Sequence, residues 1–316
     1  ANTHTQLLFF TTDGMAYKLK TWRLPQGGRT SKGKAVVNIL PIPTGVSIAA
    51  IMPVDIPEEE WENVQIIFAT SAGDVRRNAL SDFTNVRANG KIAMDLPENV
   101  ELVNARIATQ DDDVMLVTKS GRAIRFSTNA VRVFKGRKST GVRGVRLTGD
   151  DCVVSMSILR HFEASSDERA AYLKMRRAVA GMVDDEGAGT EDEEVSANAT
   201  ISPERYAEMS AAENLILTIS SRGSGKLSSS HDYPVRGRGG MGVAAMDKAM
   251  RGGDLVASFP VDLEDQIMLA TSKGQSIRVP IEGISFRSRS AGGVKVFNTG
   301  NNEEVVSVAR IVEQSE

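Results

Sequence analysis

Apolar residues along this chain fall into short runs rich in Val, Ile, Thr and Phe, and helix signals are nearly absent outside one segment. That texture predicts strands. Each run leads into a Thr- or Ser-containing turn with a glycine, a second run carrying Arg or Lys, a basic loop, a second glycine and two further β-type stretches. The first copy reads LLFFTTDGMAYKL with Gly14 in the turn. The others read IIFATSAGDVRR with Gly73, VMLVTKSGRAIRF with Gly121, LILTISSRGSGKL with Gly223 and IMLATSKGQSIRV with Gly274. The turn glycine supplies the positive φ of a tight hairpin.

The second glycines are Gly33, Gly90, Gly141, Gly242 and Gly293, lying 19, 17, 20, 19 and 19 residues beyond the first. Successive copies start 59, 48, 102 and 51 residues apart, so one period of foreign sequence separates the third from the fourth. Four strands are expected per copy, for the first LLFFTT, MAYKLK, AVVNIL and SIAAIMPV. The class predicted is all-β, a propeller-like array of about 50-residue four-stranded blades that limits exposed sheet edges. The repeats cover about 1–56, 57–108, 109–160, 214–262 and 263–316 of a single β domain. Neither a β-sandwich nor a pair of barrels accounts for the constant period.

The foreign segment, 161–213, reads as a helical and partly disordered insertion in a surface loop. Ser165 and Glu168 form a capping box ahead of ERAAYLKMRRAVAGM, and Ser202 with Pro203 opens a second helix. Between them DDEGAGTEDEE is too charged to fold by itself.

Charge changes the picture once it is mapped onto the repeats. The chain has 38 Lys+Arg against 40 Asp+Glu, a formal charge of -2, but the insertion holds 13 acidic and 5 basic residues. Between the two glycines of the five copies stand 20 basic and 4 acidic residues, more than half of all Lys and Arg. The candidates are Lys18, Lys20, Arg23, Arg29, Lys32 and Lys34 in the first copy, and Arg76, Arg77, Arg87 and Lys91 in the second. The third has Arg122, Arg125, Arg132, Lys135, Arg137, Lys138 and Arg143, the fourth Lys226, Arg236 and Arg238, and the fifth Arg278, Arg287, Arg289 and Lys295. Equivalent positions in a radial array lie on one ring, and a belt of cations is an electrostatic track for a polyanion. The Gly and Ser residues beside them let backbone approach a phosphate.

Double-stranded DNA is the polyanion expected. Single-strand and RNA binders present aromatic platforms, whereas Trp22, Tyr17, Phe83, Phe126, Phe134, Tyr233 and Phe286 occur singly here and read as core. No helix-turn-helix or zinc-finger pattern appears, which leaves backbone contact plus bending. The single Cys152 excludes an internal disulfide and reads as a core thiol, and His4, His161 and His231 are too few for an ordinary structural zinc site. No run has the ~18 apolar residues of a membrane span, and no leader is visible. A reducing, cytoplasmic setting is expected, and the first residue, not Met, suggests a fragment of something longer.

ANTHTQLLFFTTDGMAYKLK, LPQGGRTSKGKAVVNILPI, IFATSAGDVRRNALSDF, VMLVTKSGRAIRF, STGVRGVRL, DQIMLATSKG and EEVVSVARIV together resemble the C-terminal domain of the bacterial DNA gyrase A subunit. The resemblance covers the chain apart from the insertion. It implies a β-pinwheel whose blades exchange strands, and wrapping of DNA around the rim in support of ATP-dependent negative supercoiling. The implied partners are double-stranded DNA, the N-terminal part of the same polypeptide and the gyrase B subunit, with no membrane and no cofactor in this fragment. Two departures stand out. The family's first blade carries a Q-R-R-G-G-K-G box, and on the resemblance this chain begins just after where that box is expected; its nearest echo, Arg236 to Gly242, has Met241 in place of the Lys. The acidic insertion is the second departure, read as surface elaboration or as a competitor for the basic rim.

Catalysis is not expected of this fragment. The family's strand cleavage uses a tyrosine in an N-terminal domain absent here, and Tyr17, Tyr172, Tyr206 and Tyr233 lack that context. Asp111-Asp112-Asp113 reads as a solvated turn before a strand, and no P-loop or Rossmann fingerprint appears. Two other readings stand beside gyrase: the C-terminal domain of topoisomerase IV, with related repeats, and a protein-interaction propeller, which gives no reason for charge in register.

Overall fold

A computed structural model describes residues 1–27, 31–136, 139–179, 199–249 and 252–312. The first repeat supplies β1 (Gln6–Thr11), β2 (Met15–Lys20) and β3 (Ile48–Val54). The second supplies β4 (Gln65–Thr70), β5 (Asp74–Ala79), β6 (Lys91–Ile92) and β7 (Leu102–Ala108). The third supplies β8 (Asp112–Thr118), β9 (Arg122–Ser127), β10 (Val142–Arg143) and β11 (Val153–Arg160). The fourth supplies β12 (Leu215–Ser220), β13 (Ser224–Ser229), β14 (Val243–Ala244) and β15 (Leu255–Val261). The fifth supplies β16 (Gln266–Thr271), β17 (Ser276–Pro280), β18 (Val294–Lys295) and β19 (Val305–Ile311).

The sheets run β3-β1-β2-β6, β10-β5-β4-β7, β11-β8-β9-β14, β15-β12-β13-β18 and β17-β16-β19, and the strand pairs within them are antiparallel. The all-β class expected of the sequence is therefore observed, with one correction to the blades. The fourth strand of a sheet does not come from its own repeat. It is the short strand after the second glycine of the next repeat, so β6 closes the first sheet, β10 the second, β14 the third and β18 the fourth. Consequently AVVNIL, expected as a strand of the first blade, is a 3-10 turn at Val36–Asn38, with Val36 and Val37 exposed. Among the described residues the fifth sheet has three strands.

The described chain divides into two units, residues 1–110 with 128–144, and residues 111–127 with 145–316. In the first unit β1 is buried on both faces. Leu8 and Phe10 join one core with Phe68 and Phe83, while Leu7 and Phe9 pack with Tyr17 and Leu40 on the other side. That explains why LLFF is continuously apolar instead of alternating. The Phe10 ring meets Phe68 and Phe83 edge-on at 5.3 and 5.5 Å, a favourable quadrupole arrangement. In the second unit Met115, Val117, Ile216 and Tyr233 form one core, and Leu217, Leu227, Ile267 and Leu269 another.

The insertion adds α1 (Ser166–Val179) and α2 (Pro203–Ala212) to the second unit. Both expected caps are present: Ser165 N–H donates to Glu168 Oε2 at 2.8 Å while Glu168 N–H donates to Ser165 Oγ at 3.2 Å, and Ser202 Oγ accepts from Arg205 N–H. The acidic linker DDEGAGTEDEE lies outside the described residues. Cys152 is half-buried at the entrance to β11, not within the core.

Two glycines of one basic arm, the loop that leads into β10, give a test of how closely repeats are fitted. Gly136 and Gly141 both have positive φ, at 94° and 91°. A Cβ at Gly136 would meet nothing within 4 Å, whereas one at Gly141 would stand 2.2 Å from the Val75 carbonyl oxygen. Gly136→Ala is expected to cost about 1 kcal/mol through the backbone alone. Gly141→Ala should cost about 3 kcal/mol, because β10 must shift away from β5 as well. Thermal melts of the two variants check the ranking; equal losses would show that the close approach carries no energy.

Candidate nucleic-acid interface

The basic residues of the repeats separate into two populations, divided by position relative to the turn glycine. Those three or four residues beyond it lie on the second strand of the hairpin and mostly point inward. Arg76 is fully buried, donates from Nη1 to the Ser139 carbonyl at 2.7 Å and lies 5.4 Å from the centre of the Phe134 ring. Lys226 is likewise fully buried, its ammonium donating to the carbonyls of Ser288, Arg289 and Ala291 at 2.8, 2.5 and 2.6 Å. Arg125 donates to Asp113 Oδ2 at 2.8 Å and to the Ser230 and Arg160 carbonyls at 2.8 and 3.0 Å. Arg77 is buried and donates to Asn129 Oδ1, and burial holds its guanidinium below the usual range. Arg289 comes from the arm itself, where its backbone N–H and guanidinium both bind Asp232 and Nη1 donates to the Ala244 carbonyl.

These five residues correct the expectation that every cation of the belt contacts DNA. Arg76, Arg77, Arg125, Lys226 and Arg289 are committed to interior partners, out of reach of a phosphate at the surface. Lys18 is half-buried between Glu58, 2.7 Å away, and the Thr84 carbonyl, and lies 4.8 Å from the centre of the Trp61 ring. Lys91 donates to the Asp82 carbonyl and is half-buried, as is Arg287. Arg29, Arg137 and Lys138 lie outside the described residues.

What the buried groups hold is the basic arm of the next repeat. Phe134 N–H donates to the Arg77 carbonyl, Arg236 N–H to Arg125 and Arg287 N–H to Leu227, at 2.7, 2.8 and 2.7 Å. Three parallel bridges, Arg77 with Val133, Arg125 with Val235 and Leu227 with Phe286, mark the same docking in successive repeats. The remaining candidates are exposed. In the first unit they are Lys20, Arg23, Lys32, Lys34, Arg87, Arg132, Lys135 and Arg143; in the second, Arg122, Arg236, Arg238, Arg278 and Lys295. Arg132 lies over the Phe134 ring at 4.4 Å, and Lys295 donates to the Arg222 carbonyl. Arg146, outside the counted intervals, is exposed where its N–H donates to the Gly240 carbonyl beside Arg236 and Arg238. Its place five residues after the second glycine is the signal that would have found it.

Three further expectations change. Asp113 is fully buried in β8, receiving Arg125 and, at 2.9 Å, His161 Nδ1, so the aspartate triplet is not a solvated turn throughout. Tyr17, Phe83, Phe126, Phe134 and Tyr233 are core and Phe286 is half-buried, but Trp22 is 56% exposed. Burial raises the phenols of Tyr172 and Tyr233, the latter to about 12, away from a nucleophilic range. Helix α1 sets Tyr172 against the His231 ring at 5.0 Å and Arg176 over Phe286 at 4.8 Å, so the insertion braces the arm docked on β13.

Comparisons with known proteins follow the same boundaries. A family model described as the DNA gyrase C-terminal domain, beta-propeller, matches residues 5–55, 65–109, 112–160, 214–259 and 265–311, more than half of the chain. The DNA gyrase A subunit of Granulibacter bethesdensis is 45% identical over 324 residues, covering 99% of this chain and 34% of that protein. Its counterpart from Rickettsia bellii is 39% identical over 100% of this chain and 34% of its own length, and that of Salmonella typhimurium 32% over 99% and 29%. The chain thus spans about a third of the length of the curated relatives it matches. Among solved structures, the C-terminal domain of DNA topoisomerase IV matches with a TM-score of 0.72 at 20% identity, covering 98% of this chain and 80% of that one. The DNA gyrase A C-terminal domain matches at 0.69 and 19%, over 99% and 84%. At such identities the likeness speaks for the fold alone.

Two measurements test the roles assigned to buried groups. Lys226→Ala leaves three carbonyls without their cation and is expected to cost about 3 kcal/mol. Hydrogen exchange should then rise across 285–291; unchanged protection there would remove the clamp. His231 is held below the ordinary histidine range first by burial, against a raising contribution from the Met209 carbonyl. Because the folded value lies under the unfolded one, the unfolded state binds more protons in acid. Stability is expected to be full above about pH 6.5 and to fall as the pH drops below it; His231→Gln should flatten that part of the profile.

Proposed function

Because this chain belongs to the family of DNA gyrase C-terminal domains, we propose that it binds duplex DNA through its backbone, without reading sequence, and bends and wraps it. In the parent enzyme this wrapping presents a DNA crossing to the strand-passing core and supports ATP-dependent negative supercoiling in the cytoplasm. Its partners there are the N-terminal part of the same polypeptide and the gyrase B subunit.

The observation that carries this reading is the repeated arm. Arms carrying Arg132 and Lys135, Arg236 and Arg238, and Arg287 are docked by the same backbone contact, and all but the half-buried Arg287 present exposed charge. A solubilising surface needs charge but no fixed register. A fixed register of cations on preorganised backbone suits phosphates at regular intervals. Arg and Lys side chains on glycine- and serine-rich arms supply the charge, and backbone N–H groups of the same arms supply further donors. Bending a site shorter than the ~150 bp persistence length costs several kcal/mol, which many such contacts together offset. The named relatives reported above are gyrase A subunits, which supports the gyrase role over that of topoisomerase IV.

A salt titration and a labelled duplex test the proposal. Affinity should fall with salt at a log-log slope of about -0.9 per phosphate contact. Replacing Arg236 and Arg238 by Ala should weaken all sequences equally and flatten the slope by about 2. End-labelled DNA should show its ends drawn together on binding. A flat salt dependence, or binding without approach of the ends, would refute backbone wrapping.

A further inference from the structure

Trp22 is the one large aromatic of the basic intervals that is exposed among the described residues, at 56%, and it belongs to neither core cluster of the first unit. The residue is nevertheless held firmly. It sits in the 3-10 turn Thr21–Arg23 that follows β2. Its backbone N–H donates to the Thr3 carbonyl, Thr21 donates to Thr5 from both N–H and Oγ1, and Leu24 N–H closes the turn on Thr21, all at 3.0 Å. An exposed indole on a pinned backbone keeps its apolar surface in water and loses little freedom on binding a ligand.

The surroundings define that ligand. Arg23 lies over the indole with its guanidinium carbon 5.2 Å from the ring centre. Beside the ring opens a hollow of about 430 Å³ whose lining includes Lys18, Lys20, Arg23, Thr84 and Asn85. Lys20 and Arg23 are exposed, so the hollow offers a flat aromatic surface, hydroxyl and amide groups, and two cations within one concavity. Eight residues beyond the turn glycine, the other repeats carry Ser81, Asn129, His231 and Glu282. Of these His231 is buried under the inserted helices. The feature therefore belongs to the first repeat and is not part of the common phosphate-binding register.

We infer that Trp22 is a stacking platform for a DNA base turned out of the helix, with Lys20 and Arg23 on the flanking phosphates and Asn85 and Thr84 facing the base edge or sugar. The inference rests on the reading that this chain binds DNA, and it adds a point contact to an otherwise sequence-blind surface. An acidic protein segment would match the cations but gains nothing specific from a planar ring, whereas base-on-aromatic stacking is worth about tenfold or more in affinity and is indifferent to base identity. Bending opens base steps, and a gap or abasic site lowers the cost of turning a base outward.

The chain has two tryptophans, and the other, Trp61, is fully buried with its Nε1–H donating to the Ile56 carbonyl at 3.0 Å. Tryptophan emission changes on titration therefore report Trp22. Titrating the 316-residue chain with an intact duplex and with the same duplex carrying a one-nucleotide gap, both labelled for anisotropy, should quench the emission. The gapped form should bind about tenfold more tightly. Trp22→Ala should reduce the gapped duplex to the affinity of the intact one with the salt slope unchanged, and Trp22→Phe should restore part of the preference. The inference falls if anisotropy shows saturation while the emission stays constant, if Trp22→Ala keeps the preference, or if polyglutamate quenches as strongly as DNA. An absence of any anisotropy change at low salt would instead overturn the DNA reading itself, and this inference with it.

Discussion

The structure depends on how a sheet edge is closed by chain that belongs to the next repeat. An open edge presents unpaired N–H and C=O groups and invites association. Here β6, β10, β14 and β18 cover the edges of four sheets, and an arm of the same repeat docks beside β5, β9 and β13. The docked arm turns some carbonyls inward, where they need donors. Arg76 and Lys226 supply them from the acceptor strand, while Arg125 bonds the Ser230 carbonyl ahead of the next arm and the Arg160 carbonyl at the end of its own sheet's β11. A buried ammonium or guanidinium is costly unless its hydrogen bonds are met. Each partner thus removes the other's penalty, and the joint between repeats is polar at its centre and apolar around it.

That joint explains which parts of the architecture could be read from residues and which could not. The glycine period exposed the hairpins because a tight turn requires positive φ, and Gly14, Gly73, Gly121, Gly223 and Gly274 all have it. The insertion helices were legible from their caps, which are local chemistry. Strand exchange was implied by the family resemblance and is observed, but the residue pattern alone did not show it: AVVNIL and GKIAMDL look alike as apolar runs, and pairing with another repeat decides which becomes extended. Charge alone was equally ambiguous, since an arginine in a strand and an arginine in a loop count the same. Position resolves part of this: Arg76 and Lys226, three beyond the turn glycine, bond carbonyls of the docked arm, and Arg77 and Arg125, four beyond, are buried on other partners. Arg278 tests the rule by exception: it stands four beyond Gly274 yet is exposed, and no arm lies on β17 among the described residues.

The inserted helices show the same logic in a different material. The insertion's acidic composition, read as surface elaboration or as a competitor for the basic rim, resides mostly in the linker outside the described residues, and the two described helices contribute packing. Tyr172 and Met209 are fully buried, the Tyr172 and Phe162 rings meet His231 edge-on, and Arg205 ties Glu168 to the Glu163 carbonyl. Arg176 bonds Glu213 and lies over Phe286, which brings the helix to the arm that Lys226 clamps from below. One arm is therefore fixed from two sides, by a buried cation in the sheet and by a cation–aromatic contact from the helix.

Fixing an arm matters for binding even where the fixing residue touches no ligand. A glycine- and serine-rich loop free in water would lose about 1 to 2 kcal/mol per residue on being ordered against a phosphate chain, and that loss would consume the small gain of each exposed ion pair. An arm already held by Lys226 or Arg76 loses much of this entropy during folding. On the proposed function, the exposed charges would then meet a polyanion with little further ordering to offset. The two populations of basic residues are accordingly one device: the buried ones set the backbone that the exposed ones decorate. Their common period follows from the period of the joint, so the recurrence of charge along the chain arises from the way the sheets are closed.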